Sequence, residues 1–301
     1  MNSYKDTKRR NRIVLTAIIT VVIFAVLLYA AYHPLKFYKI THPASSFDTT
    51  QDFVKFLDVG QGDCALIYSN GYSAVIDVGM PNTANDISED LYDCNISTLD
   101  AVLISHLHSD HVGALPEIAE NFKMQNLIMP EVFKDSVISA KNGRKIARAG
   151  GASYYNAKQG MNFNIGEFEI TLLSDFTDKS NENNRSVFVM AKIGEIKFLF
   201  TGDAEAKTEN KLLDENLQLD CDVLKVSHHG SNTSSTKAFL DATTPEYAVI
   251  SVGEDNIYGH PHGETIQKLT DANAEIYRTD QSGDITFYIE DNKINVKTEI
   301  E

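Results

Sequence analysis

The sequence has 301 residues, 43% of them hydrophobic, with 27 Lys and Arg against 42 Asp and Glu and a formal charge of −15. That length and apolar share exclude a disordered chain and allow one large domain or two modest ones. Cys64, Cys94 and Cys221 are widely separated and form no CxxC pair, so neither a thiolate zinc site nor a disulfide framework is indicated and buried free thiols are the simplest reading.

Residues 1–12 form a basic tail, with Lys5, Lys8, Arg9, Arg10 and Arg12 against Asp6 alone. Residues 13–32, "IVLTAIITVVIFAVLLYAAY", then run without a charge. At helical rise such a segment is about 30 Å long, enough to cross a bilayer core. The basic flank orients the N-terminus toward the cytoplasm and the rest of the chain outside. The end "LLYAAY" lacks a small-x-small cleavage site, so a retained single-pass membrane anchor is read in preference to a cleaved signal peptide. Beyond the anchor, 22 basic residues face 41 acidic ones, a formal charge of −19. Such a surface repels polyanions at long range and counts against non-specific duplex binding.

Residues 33–52, with two prolines, "ASS" and "DTT", read as a linker, and 53–301 as one domain. "FVKFLDVG" and "DCALIYS" read as strands, and Asn70–Gly71 as a two-residue hairpin turn into "YSAVIDVG". A helix around 86–94 precedes "LDAVLISH", an apolar β-branched run of the kind buried inside a sheet. "GALPEIAENF" reads as a helix and "NLIMP" as a strand. Residues 135–149 read as a helix with Lys141, Arg144, Lys145 and Arg148 on one face, either a solvated face or a basic platform beside a phosphate-binding cleft. Strands follow at "FEITLLS", "SVFVMAKI", "IKFLFTGD", "DVLKV", "YAVISVG", "EIYRT" and "ITFYIE", with helices near 204–215, 236–242 and 264–272. This alternation predicts an α/β domain of two packed sheets covered outside by helices.

The chemistry concentrates in "SHLHSDHVGA", residues 105–114. His106 and His108 are two apart and point to one side of an extended segment. Asp110 and His111, a turn onward, face a neighbouring point, so one loop offers two ligands to each of two metal ions. Three further groups follow apolar strands: Asp203 in "FLFTGDAE", His228 and His229 in "LKVSHHGS", and His260 and His262 in "YGHPHGET". Taken singly, each has a plain alternative: a helix cap, an exposed pair, or a turn with chance histidines. Their recurrence at strand ends favours a site that binds metal.

These motifs resemble the metallo-β-lactamase superfamily, with its HxHxDH signature followed by a distant Asp and His. Taken in order, "FLDVGQGDCALI", "VIDVG", "LDAVLISHLHSDHVGAL", "FLFTGDAE", "LKVSHHGSNTSS" and "YGHPH" resemble the hydrolase domain of ComEC-type DNA-uptake competence proteins over residues 53–290. The resemblance implies an αββα sandwich with the site at the strand edge. It implies His106, His108, Asp110, His111, Asp203 and His228 as ligands of two divalent ions, zinc or manganese, with Asp203 bridging and Asp77 buttressing them from behind. Which of His228 and His229 binds metal stays open. Asp110, His229 and His260 are the candidate catalytic groups, with His229 or His260 donating to the substrate or leaving oxygen. No histidine occurs from 112 to 227, where the wider superfamily has another ligand. "ENNRSVFV" instead resembles the ComEC-type pattern, with Asn183 and Ser186 behind the ligands, and suits a harder ion such as manganese.

The function implied is metal-dependent phosphodiester hydrolysis, with DNA as substrate outside the membrane. Two alternatives stand beside it: hydrolysis of a cell-wall or small-molecule phosphodiester of the phosphocholine-ester type, or a non-catalytic metal-containing binding module. One span cannot conduct DNA, so a separate DNA-channel protein is the partner the resemblance suggests.

Overall fold

The computed structural model describes residues 2–33, 36, 38, 50–132, 141–174 and 181–300. The chain falls into two compact units, Met1–Ser45 and Ser46–Glu301. The first is dominated by helix α1 (Asn2–Tyr32). Its segment Ile13–Tyr32 has a mean hydropathy of 2.9 and is long and apolar enough to cross a membrane. The Thr20 hydroxyl donates to the Thr16 carbonyl at 2.9 Å, which satisfies a polar group within that run.

The second unit contains two sheets. Its first strands are β1 (Asp52–Phe56), β2 (Ala65–Ser69), β3 (Tyr72–Ile76), β4 (Thr98–Leu103), β5 (Lys123–Met129) and β6 (Ser153–Asn156). Next come β7 (Asn162–Ile165), β8 (Phe168–Leu172), β9 (Val189–Ile193), β10 (Ile196–Phe200), β11 (Val223–Lys225) and β12 (Tyr247–Ile250). The last are β13 (Glu275–Arg278), β14 (Ile285–Glu290) and β15 (Lys293–Thr298). One sheet runs β15-β14-β1-β2-β3-β4-β5-β6 and the other β13-β12-β11-β10-β9-β8-β7. In each, antiparallel hairpins lead into parallel strands, β3 to β6 and β10 to β13.

Between the sheets lies a core of Phe56, Phe168, Phe198, Phe200 and Phe287 with many aliphatic partners. Phe287 meets Phe56 edge-on at 5.8 Å and Phe198 at 6.0 Å, the geometry that aromatic quadrupoles favour. On the outer face of the second sheet, Leu199, Leu224, Ala248 and Ile250 pack with Leu212, Phe239, Leu240 and Leu269, which belong to helices 206–214, 237–243 and 263–271. The expected two-sheet α/β architecture with helices outside is the one found.

The Asn70–Gly71 turn joins β2 to β3 in the register Ser69↔Tyr72, both turn residues having positive φ. Three strands were not expected from the sequence. β6 and β7 are four-residue edge strands, β6 alternating between exposed and half-buried and β7 doing so until the buried Ile165, too short and polar for a clear period-2 signal. β15 pairs with β14 through a two-residue turn at Asp291–Asn292, with φ of 50° and 59°, the mirror-image turn that hairpins prefer. The helix expected at 135–149 falls partly outside the described residues. Its described part is Gly143–Gly150, so Lys141 precedes the Asn142 cap, while Arg144, Lys145 and Arg148 are exposed. Most of the 33–52 linker also lies outside the described residues.

The parallel strands bring their carboxyl ends to one edge, and there the chain turns tightly. Gly202, just after β10, has φ +53°, and a Cβ there would meet Ser105 Oγ at 2.8 Å and Ser186 Oγ at 2.9 Å. Gly202→Ala is therefore expected to cost about 2 kcal/mol through backbone strain and overlap. The check is a lowered denaturation midpoint at unchanged slope; an unchanged midpoint would show that the turn tolerates a side chain.

Candidate metal centre

The site is built from loops that leave the carboxyl ends of β3, β4, β10, β11 and β12. Asp77 follows β3 in a left-handed conformation, φ +60°. Its Oδ1 accepts the Ser105 backbone N–H at 2.7 Å, and its Oδ2 accepts the Ser105 hydroxyl at 2.6 Å and His111 Nδ1 at 2.8 Å. His111 therefore donates from Nδ1, and its Nε2 is turned toward Asp203 Oδ1, 3.2 Å away. Ser105 Oγ, having donated to Asp77, accepts from His106 Nδ1 at 3.2 Å. That leaves His106 Nε2 facing His108 Nδ1 at 3.1 Å and Asp203 Oδ2 at 3.8 Å.

His228 and His229 both adopt positive φ, 51° each, before Gly230 at φ +80°. Consecutive left-handed residues without a glycine cost energy and occur where a side chain must be aimed. The kink separates the pair. His229 donates from Nδ1 to the Ser251 carbonyl at 2.9 Å. Its Nε2 lies 3.3 Å from Asp110 Oδ2 and 3.5 Å from Asp203 Oδ1. His228 turns toward the rim, with Nδ1 3.1 Å from Thr233 Oγ1 and Nε2 3.3 Å from Asn183 Nδ2, and stays 4.0 Å from Asp203 Oδ2. Ser186 Oγ accepts the Asp203 backbone N–H at 3.0 Å and so stands behind the cluster, whereas Asn183 meets His228 at the rim.

Among the described residues three groups of donor atoms lie within 4.8 Å of one another. In one, Asp63, Asp77 and His111, the carboxylates are already engaged by Lys225 and Ser105; the two that remain open are Asp110, His111, Asp203 and His229, and His106, His108 and Asp203. Asp203 belongs to both and presents one oxygen to each. His111 Nε2, His229 Nε2 and Asp203 Oδ1 are buried and lack a hydrogen-bond partner. Leaving such atoms unsatisfied is costly, and a divalent cation between them would satisfy all three. The donor set fits a metal: imidazole nitrogens and carboxylates with lone pairs converging, their far sides fixed by hydrogen bonds. His260 lies outside both groups, its ring 5.5 Å from that of His228 and 6.4 Å from that of His229, with Nδ1 buried and unpartnered. His262 Nδ1 accepts the Asn232 backbone N–H at 3.1 Å, a loop-holding role.

Two residues were not singled out from the sequence. Asp63 lies behind His111 and His229, with Oδ1 3.4 Å from His229 Nδ1 and Oδ2 paired to Lys225 Nζ at 2.8 Å. Lys225 is 3% exposed and also donates to the Val226 carbonyl at 3.1 Å. The available signal was a lone lysine within the apolar run "DVLKV", since a charge on a buried strand needs a partner.

The electrostatics follow from this crowding. Burial works against ionisation of Asp63, and the Lys225 ammonium outweighs it, holding the carboxyl well below its usual range. Asp110 is pulled down to about 2, its partial burial overcome by His229 and His111. Burial and the neighbouring His111 keep His106 neutral. For His229, burial opposes a charge, but Asp203, Asp110 and Asp63 prevail and raise it to about 10; His111 is raised likewise by Asp203, Asp77 and Asp63.

The profile of the Metallo-beta-lactamase superfamily matches residues 57–254. The chain belongs to that superfamily. Its relatives include competence proteins of the ComEC type. ComE operon protein 3 of Bacillus subtilis (strain 168) is 31% identical over 196 residues, 64% of this chain and 25% of that protein. Competence protein ComA of Neisseria gonorrhoeae is 28% identical over 270 residues, 88% of this chain and 35% of that protein. The chain thus spans about a quarter to a third of these relatives' length. Among solved structures, CmlA, a diiron beta-hydroxylase from Streptomyces venezuelae, superposes with a TM-score of 0.55 at 14% identity, covering 79% of this chain and 54% of that one, a likeness of fold.

Lys225→Met leaves Asp63 buried without its cation and is expected to cost about 3 kcal/mol. Adding Asp63→Asn should recover much of that loss in a double-mutant cycle read by chemical denaturation; strict additivity would mean that the pair is not coupled. Binding of a divalent cation must displace the Nε2 protons of His111 and His229, because both are held protonated in the metal-free protein. Apparent affinity for Mn2+ or Zn2+ should therefore rise between pH 6 and pH 8, by about tenfold per unit for each proton displaced. Competition titration with a chromophoric chelator measures this, and a flat profile would contradict it.

Proposed function

We propose that this chain is a metal-dependent phosphodiesterase that acts on DNA, anchored by its N-terminal helix with the hydrolase domain outside the membrane. The observation that carries the reading is Asp203, whose two carboxylate oxygens address separate groups of histidine nitrogens among buried, unpartnered donor atoms. His106, His108 and Asp203 would hold one cation, and Asp110, His111, Asp203 and His229 the other. We assign the ligand role to His229 and place His228 at the rim, because His229 Nε2 faces Asp110 and Asp203 while His228 Nε2 faces Asn183.

When bound, two such cations supply an activated water and stabilise charge on the phosphoryl oxygens. The protein's own groups do the positioning. Asp77 fixes the tautomer of His111, the Ser251 carbonyl fixes that of His229, and Ser105 fixes that of His106. His260 is lowered to about 4 by burial and by the neighbouring His228. It is thus a neutral imidazole near neutral pH, suited to donating a hydrogen bond to a substrate or leaving oxygen rather than to serving as a strong acid. The group around His106 has two histidines and one carboxylate, which suits manganese as well as zinc.

DNA as substrate draws on the competence-protein names of the relatives, and a separate channel protein would be the partner. Lys5, Lys8, Arg9, Arg10 and Arg12 before the span support the outward orientation. A second reading, hydrolysis of a small or cell-wall phosphodiester, is favoured by the formal charge of −19 beyond the span, which opposes long-range attraction of a polyanion.

The test is hydrolysis by the detergent-solubilised full chain. Labelled single- and double-stranded DNA and a small chromogenic diester are each assayed with Mn2+, Zn2+ or chelator. DNA cleavage should require metal and fall by about 100-fold or more in Asp203→Asn. Turnover of the small ester alone would move the assignment to the second reading, and cleavage that survives chelation would refute a metal mechanism.

A further inference from the structure

Beside the metal cluster, the loop between β12 and the helix at 263–271 exposes two adjacent apolar side chains, Ile257 at 91% and Tyr258 at 58%. In the second unit the other large apolar side chains this exposed, among the described residues, are Tyr72, Tyr155 and Ile300. The pair forms a small apolar spot on this loop. The loop is also held in shape. Asn256 donates from Nδ2 to the Gly253 and His260 carbonyls at 3.0 and 2.7 Å, and its Oδ1 accepts the His260 N–H at 3.0 Å. One side chain thus ties 253 to 260 and presents Ile257 and Tyr258 on a fixed support.

Tyr258 is continuous with the site. Its ring lies 5.7 Å from that of His260 at 25°, and the His260 ring lies 6.4 Å from that of His229 at 27°. Three near-parallel rings therefore lead from the buried cluster to solvent, the outermost belonging to the exposed Tyr258. We propose that Tyr258, flanked by Ile257, is a stacking platform for a nucleobase next to the phosphodiester held at the metal cluster, so that the substrate class is a base-bearing diester. This rests on the phosphodiesterase reading above and adds to it a determinant of specificity.

The chemistry favours a base over other occupants. Two side chains are far too small a patch for a standard protein interface, which takes roughly 800 Å² from each partner. Aromatic faces receive any base with little sequence preference, as a general hydrolase of DNA requires. Glu254 and Asp255 are exposed on the same loop. They repel a phosphate chain but not a neutral ring, so the base rests on Tyr258 while its phosphate stays at the cations. A choline headgroup would instead call for an aromatic cage, and Tyr258 is a single exposed face.

The test compares binding of thymidine 5′-monophosphate and methyl phosphate to the Mn2+-loaded full chain in detergent, by calorimetry. The nucleotide should bind about tenfold more tightly. Tyr258→Ala should abolish that preference and Tyr258→Phe should keep it, with the melting temperature unchanged in both. Equal affinities in the parent chain, or a preference that survives Tyr258→Ala, would overturn the platform. So would a change of sedimentation mass in Tyr258→Ala with no change in either affinity, which would mark a contact between copies. Turnover of thymidine 5′-(p-nitrophenyl phosphate) and methyl p-nitrophenyl phosphate separates the two proposals. Loss of the binding preference with both esters still hydrolysed refutes the platform alone. A Tyr258-dependent preference with neither ester hydrolysed refutes the phosphodiesterase reading alone.

Discussion

Four carboxylates, Asp63, Asp77, Asp110 and Asp203, are gathered in one largely buried region, and their mutual repulsion is the constraint on which the rest of the site depends. Each is answered differently. Asp77 is consumed by hydrogen bonds from Ser105 and His111, and Asp63 by the buried ammonium of Lys225. Asp110 and Asp203 face imidazole nitrogens. In the metal-free protein, protonated His111 and His229 complete the balance. Divalent cations would take over that role once those protons left, so the same crowding that would destabilise an apolar core suits the cluster to hold metal.

The strand order makes the gathering possible. Parallel strands in both sheets end at one edge, and the loops leaving them contribute Asp77, the 105–111 segment, Asp203, and the histidine pair. The hydrophobic sandwich below, centred on Phe56, Phe198 and Phe287, supplies the stability against which local strain is held. At the site, left-handed backbone at Asp77, His228 and His229 aims the side chains that meet there. A Cβ on Gly230 would lie 2.6 Å from Pro261, so the kink that aims His229 also locks the loop carrying His260 and Tyr258.

Much of this was legible in the sequence, and the reasons differ by residue. The 105–111 loop is readable because His106, His108, Asp110 and His111 lie within six positions, where local geometry fixes which side they face. The Asn70–Gly71 hairpin is readable because its turn chemistry is local. β15 follows an equally local turn at Asp291–Asn292, but its alternation of Lys, Asn and Thr with Ile and Val lies on a sheet edge, where the solvated face blurs the pattern. Asp63 and Lys225 are 162 positions apart and announce themselves only as charges in apolar surroundings.

The sequence by itself determined the alternation of strands and helices, the apolar N-terminal segment, the crowding of His106, His108, Asp110 and His111 into one loop and the family resemblance, because each is written in neighbouring residues. Only the tertiary structure decided which of His228 and His229 faces Asp110 and Asp203. Two consecutive left-handed residues reverse the usual relation between sequence spacing and side-chain direction, and the bond from His229 to the Ser251 carbonyl fixes the ring that faces inward. The Asp63–Lys225 pair and the row of rings from His229 to Tyr258 were likewise decided by folding, since long-range packing alone sets which distant groups share a low-dielectric space.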